Sequence, residues 1–145
     1  MNQILVTVDG SKHSERVVDE AITVAKYMGA KLLLLYVCPD FLTVPEEFAE
    51  YAKDEDLGLA DYYSVASSNI LSKFGSRIME KGIEFEAISE VGRASDEILD
   101  VAKTRSVNMI VVGMHGLHAV DRFRSLGSTA RRVVEQSPIP VIVVP

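Results

Sequence analysis

Glycine, serine, threonine and aspartate, residues that hold small anions and cations, gather at three points of the chain. Asp9-Gly10 follows the apolar run Ile4 to Val8, Gly113-Met114-His115-Gly116 follows Val107 to Val112, and Gly127-Ser128-Thr129 opens an amphipathic stretch reaching about Gln136. Without a Cβ, Gly113 and Gly116 can take positive φ and bring peptide N–H groups close to an anion. A helix starting at Gly127-Ser128-Thr129 adds free N–H groups, the positive end of the helix dipole and two hydroxyls. The chemistry this favours is the holding of phosphate. Turns that need glycine for conformation alone are the alternative.

Other reactive residues are less well placed. His115 and His118 have metal-like spacing, but only Asp121 stands near and no cysteine can complete a zinc set. Ser11, His13 and Ser14 are neighbours in sequence, which favours capping of a helix over a catalytic triad. Cys38, the single cysteine, is expected to pack at a strand end. Arg122, Arg124, Arg131 and Arg132 could offset phosphate charge, although ordinary exposed arginines are the simpler reading. No Walker lysine, arginine finger or pair of catalytic carboxylates is set by spacing to activate water, so rapid turnover is not expected.

Elements that could position these residues alternate along the chain. Ile4 to Val8, Leu32 to Val37, Ile83 to Ser89, Val107 to Val112 and Val141 to Val144 are short, aliphatic and rich in β-branched residues, so five strands are expected. All but one are almost continuously apolar, as strands covered on both faces of a parallel sheet must be. Ile83 to Ser89 alternates, which suits an edge. Val18, Ala21, Ile22, Ala25 and Met28 mark a first helix, with Ser11 as expected N-cap and Gly29 as stop. Leu59, Tyr63, Ala66, Ile70, Phe74 and Ile78 mark a second helix ending at Gly82. Ala94, Ile98 and Ala102 mark a third, and Ser128 to about Gln136 is the last. Right-handed crossovers then give one α/β domain over residues 1–145, a doubly wound five-stranded parallel sheet with helices on both faces. In such a sheet ligands bind beyond the carboxyl ends of the strands, where Asp9 and Gly113 both fall.

Composition narrows the function. The chain has 145 residues, 48% hydrophobic and 25% charged, enough for one self-sufficient core. Its net charge of −6 has the wrong sign for a protein that grips nucleic-acid phosphates. No apolar run is long enough to span a membrane, no leader is evident at Met1, and a single cysteine suits a reducing cytoplasm. The segment Asp40 to Asp61 carries eight acids and one base. Within it Asp40 to Asp56, with Pro39 before it and Pro45 inside it, reads as a solvated acidic connection in preference to a lid.

Four stretches together, Ile4-Leu5-Val6-Thr7-Val8-Asp9-Gly10-Ser11, Val111-Val112-Gly113-Met114-His115-Gly116, Gly127-Ser128 and Ser137-Pro138-Ile139-Pro140-Val141-Ile142-Val143-Val144, resemble universal stress proteins over nearly the full length. The resemblance implies that the first and fourth strands adjoin at the centre of the sheet and that the chain binds an adenine nucleotide: ATP, or ADP or AMP. Gly113, Gly116, Gly127, Ser128 and Thr129 would surround phosphates and ribose, flanked by Val112, Met114 and His115. Thr7, Val8 and Val37 would line the adenine pocket, and Asp9 would face the ribose or a phosphate-bound Mg²⁺. Ten residues, Leu117 to Leu126, separate Gly116 from Gly127 where the family pattern has nine. The resemblance further implies a homodimer, for which the apolar final strand Val141 to Val144 offers an edge. An ATP-binding regulator of a stress response is the leading expectation. A nucleotide-free dimeric interaction module and a slow ATPase are the alternatives.

Overall fold

The computed structural model describes residues 2–39, 59–115 and 126–145. The expected acidic connection Asp40 to Asp56, together with Gly116, His118, Asp121, Arg122 and Arg124, lies outside the described residues. The elements in chain order are β1 (Gln3–Val8), α1 (His13–Met28), β2 (Lys31–Cys38), α2 (Leu59–Glu80), β3 (Phe85–Val91), α3 (Ala94–Thr104), β4 (Met109–Gly113), α4 (Ser128–Gln136) and β5 (Val141–Val144).

The strands form one parallel sheet in the order β3-β2-β1-β4-β5. β1 pairs with β2 from Gln3 opposite Lys31 to Val8 opposite Tyr36, and with β4 from Ile4 opposite Met109 to Val6 opposite Val111. The chain thus winds outward to β3 on one side of β1 and to β5 on the other, as expected of a doubly wound sheet. Strand alternation divides the core in two. Ile4, Val6, Leu32, Leu34 and Cys38 pack with Val18, Ile22, Phe74 and Ile78 on the α1/α2 face. Leu5, Leu33, Leu35 and Ile110 pack with Ile98, Val101, Ala130 and Val133 on the α3/α4 face. Two covered faces explain why β1, β2 and β4 are continuously apolar. The edge strand β3 has no fully buried residue.

Two strands begin two residues later than the apolar runs suggest, for one reason. At the end of α2 the Ile83 amide donates to the Ile78 carbonyl and the Gly82 amide to Met79, with Gly82 at φ 72°. This is a Schellman closure, in which an apolar residue just past the helix folds back onto its last turn. At the end of α3, Val107 donates to Ala102 after Ser106 at φ 51°, and Val107 is buried. Ile83 and Val107 therefore finish helices and do not start strands. Nor is Ser11 the N-cap of α1, which begins at His13 after Lys12 with no side-chain cap.

An ion pair fastens α1 to α2. Arg77 meets both carboxylate oxygens of Asp19, at 2.6 and 2.7 Å. That hydrogen bond, above all, holds the Asp19 carboxyl below its ordinary value of 3.8, against a smaller opposing effect of burial. A depressed folded-state value means the pair stabilises the fold above the ordinary aspartate range and loses that contribution as pH falls through the folded-state value. Because both groups are partly exposed, Asp19→Asn should cost less than about 1 kcal/mol at neutral pH. Urea unfolding should show that difference shrink as the solution is acidified below pH 3.8.

Candidate functional site

Past the end of β1 the chain turns on the Asp9 side chain. Its Oδ1 accepts the Ser11 amide at 2.9 Å and the Ser14 hydroxyl at 2.9 Å, while Ser14 Oγ accepts the Asp9 amide at 3.1 Å. These bonds seat the first turn of α1 on the end of the strand. They occupy Oδ1 and leave Oδ2 as the oxygen that could meet a ligand. Ser11 Oγ is buried without a hydrogen-bond partner among the described residues.

Beyond β4, Met114 is held on both sides of its peptide: its amide donates to Val144 at 2.8 Å and its carbonyl accepts the Gly127 amide at 2.8 Å. The loop after β4 and the start of α4 are thereby joined. Gly127 is the N-cap of α4 with no side-chain cap, so the amides of Ser128, Thr129 and Ala130 have no helical acceptor and sit at the positive end of the dipole. Gly113 serves space and not a left-handed turn. A Cβ there would lie 3.0 Å from His13 Cδ2 and 3.2 Å from Val17 Cγ2. The ring of His13 rests in that gap, with Nε2 2.9 Å from the Val144 carbonyl oxygen. His115 Nε2, like Ser11 Oγ, is buried without a hydrogen-bond partner among the described residues.

A cavity of about 520 Å³ opens between these two turns. Every described residue expected in the site borders it: Thr7, Val8, Asp9, Val37, Val112, Gly113, Met114, His115, Gly127, Ser128 and Thr129. The cavity has two halves. Leu35, Val37, Ala94, Ile98, Val112 and Ala130, all members of the α3/α4-side core, make an apolar slot. Asp9, His13, Ser128 and Thr129 make a polar mouth. Val8 borders the cavity, while its side chain packs in the core of the opposite face.

The sequence profile of the universal stress protein family matches residues 1–145. The chain belongs to the universal stress protein family. It is 31% identical to universal stress protein YxiE of Bacillus subtilis over 153 aligned positions, covering 99% of this chain and 98% of the relative. Among solved structures it superposes on universal stress protein UspA from Lactobacillus plantarum with a TM-score of 0.81 at 25% identity, covering 99% and 97% of the two chains. It also matches a universal stress protein from Archaeoglobus fulgidus solved in complex with dAMP, with a TM-score of 0.64 at 26% identity and 100% and 98% coverage. The five-stranded parallel α/β sheet is shared with these universal stress protein structures.

Sequence reasoning overlooked part of the slot and of the mouth. Leu35 was legible in principle, since it shares a face with Val37 two residues on. Ala94 and Ile98 stand four apart on α3, a spacing that puts both on one side. His13 carried no such sign, because its neighbour in space, Val144, is 131 residues away. The remaining candidates are occupied elsewhere. Arg132 pairs with Asp96 of α3 at 2.7 Å, and Arg131 is exposed. Cys38 is fully buried with Sγ 2.9 Å from Ser67 Oγ, and burial, above all, pushes its thiol above the ordinary range. Among the described residues no three metal-binding side chains cluster, and no helix is long and apolar enough to cross a membrane.

Gly113→Ala should press on the His13 ring and Val17 together. The expected result is a loss of about 1–2 kcal/mol, read as a lower denaturant midpoint with unchanged slope.

Proposed function

We propose that this universal stress protein binds an adenine nucleotide, ATP with ADP and AMP as alternatives, and serves as a ligand-dependent regulator in a stress response within the cytoplasm. The observation that carries the reading is the joining, in one crevice, of an apolar slot and peptide N–H groups at the start of α4 that have no helical acceptor. A purine fits the first chemically and a phosphate chain the second. Thr7, Val37, Leu35 and Ile98 enclose the base, with Val8 offering main chain. Gly113, Met114, His115, Gly127, Ser128 and Thr129 border phosphates and ribose, with Gly116 expected to join them. The buried, unpartnered Ser11 Oγ and His115 Nε2 lie at the same mouth and would gain partners from a polar ligand. The family member solved with dAMP supports the adenine class.

Asp9 suits a Mg²⁺ that arrives with the nucleotide. A carboxylate oxygen with no hydrogen bond among the described residues matches the habit of Mg²⁺ of taking one or two protein oxygens and completing its shell with phosphate oxygens and water. Phosphate release should stay below about 1 s⁻¹, the low end of ordinary enzyme turnover.

Native mass spectrometry of the purified protein should reveal bound adenine nucleotide, and calorimetry with MgATP, ADP and AMP should rank the three. Absence of both signals overturns the reading. Ala94→Phe, which fills the slot and leaves the mouth intact, should weaken binding at least about tenfold, ~1.4 kcal/mol.

The same proposal includes a homodimer paired through β5. Val141, Ile142 and Val143 are only half-buried on this edge, although apolar, and among the described residues β4 is the single strand beside them. A short apolar edge of this kind is stabilised by a paired neighbour. Sedimentation at micromolar concentration should give a dimer, and monomer alone would remove this part of the proposal.

A further inference from the structure

The crevice and the outer edge of the sheet share one hydrogen-bonded path, and an imidazole stands at its junction. His13 Nε2 approaches the Val144 carbonyl at 2.9 Å. A carbonyl oxygen only accepts, so Nε2 carries the proton. The same oxygen accepts the Met114 amide at 2.8 Å, and the Met114 carbonyl accepts the Gly127 amide at 2.8 Å. The last residue of β5, the loop after β4 and the N-cap of α4 are therefore linked through main chain, with His13 bracing the link from α1. His13, Met114 and Gly127 all border the cavity. The space that Gly113 leaves open is filled by the His13 ring.

β5 is well suited to respond. It is four residues long and, among the described residues, lies at the sheet edge beside β4 alone. Short edge segments with few partners open most readily, and His13 supplies one of the two hydrogen bonds on the Val144 oxygen among the described residues.

We propose that His13 is a positioning residue that couples occupancy of the crevice to the order of the β5 edge. A ligand seated against His13, Met114 and Gly127 tightens Val144 and with it the edge strand. By reciprocity, a partner paired on β5 tightens the crevice. The proposal rests on the nucleotide reading of the crevice and adds its regulation: ligand controls the edge that a second copy would use.

The test is hydrogen exchange of the peptide spanning residues 137–145, followed by mass spectrometry with and without saturating MgATP, with saturation checked by calorimetry. Wild type is compared with His13→Gln, whose amide is long enough to donate to the Val144 carbonyl, with His13→Asn, one methylene shorter, and with His13→Leu, which has no donor. MgATP should slow exchange in this peptide by about fivefold or more in wild type and His13→Gln, the lower end of ordinary coupling between sites. It should have little effect in His13→Asn and His13→Leu at equal saturation. If His13→Leu fails to fold, His13→Asn carries the comparison. Equal protection in His13→Asn, whose donor is too short to reach the Val144 carbonyl, and in His13→Leu overturns the proposal, as does wild type that is saturated with nucleotide and unprotected at β5, a result that leaves the nucleotide reading intact. Failure of wild type to bind any adenine nucleotide removes both.

Discussion

Between β1 and β4 the sheet changes its direction of winding. Both strands run the same way, paired from Ile4 opposite Met109 to Val6 opposite Val111, yet the connection leaving β1 crosses to β2 and the one leaving β4 crosses to β5. The two connections must part at the carboxyl ends, and neither can fill the space between them. The crevice follows from this parting. So does its lining, since each strand end delivers a turn to one side: Asp9 with the start of α1, and Gly113 to His115 with the start of α4.

Alternation along the central strands then decides the character of the crevice. Leu35, Val37 and Val112 face the α3/α4 core, so the slot is an outward extension of that core and is apolar for the same reason. Its polar mouth draws on backbone groups at the start of α4, which have no helical acceptor, more than on charged side chains. Uncapped amides at Ser128 to Ala130 offer an anion partners that are fixed before it arrives, and Arg132 is drawn away by Asp96. A net negative protein can hold an anion on these terms, because nearby dipoles outweigh distant charges screened over about 8 Å.

The mouth is also where distant parts of the chain are fastened together. Asp9 Oδ1 ties β1 to α1, Met114 ties β4 to both β5 and α4, and His13 ties α1 to β5. Such bonds at strand ends, beyond the regular ladder, make the geometry of the site and of the sheet edge interdependent.

Most of the architecture was legible in the sequence, because hydrophobic runs and helical stripes state which faces must leave water. β1, β5 and α4 lie at or within a residue of their expected bounds, and the order of elements followed from alternation. The starts of β3 and β4 were misplaced because Ile83 and Val107 are apolar for a different purpose, closing the helices before them; periodicity cannot tell a strand residue from a helix staple. Ser11 has the side chain of an N-cap, but Asp9, two residues earlier, supplies the oxygen that organises the turn. Local pattern therefore determined the strands, the helices and the glycine-bearing turns. Spacing put Leu35 on the face of Val37 and Ala94 with Ile98 on one side of α3, but the meeting of these two faces in one slot, the space at Gly113 and the reach of His13 to Val144 were decided by tertiary structure, since each depends on which residues meet across the sheet.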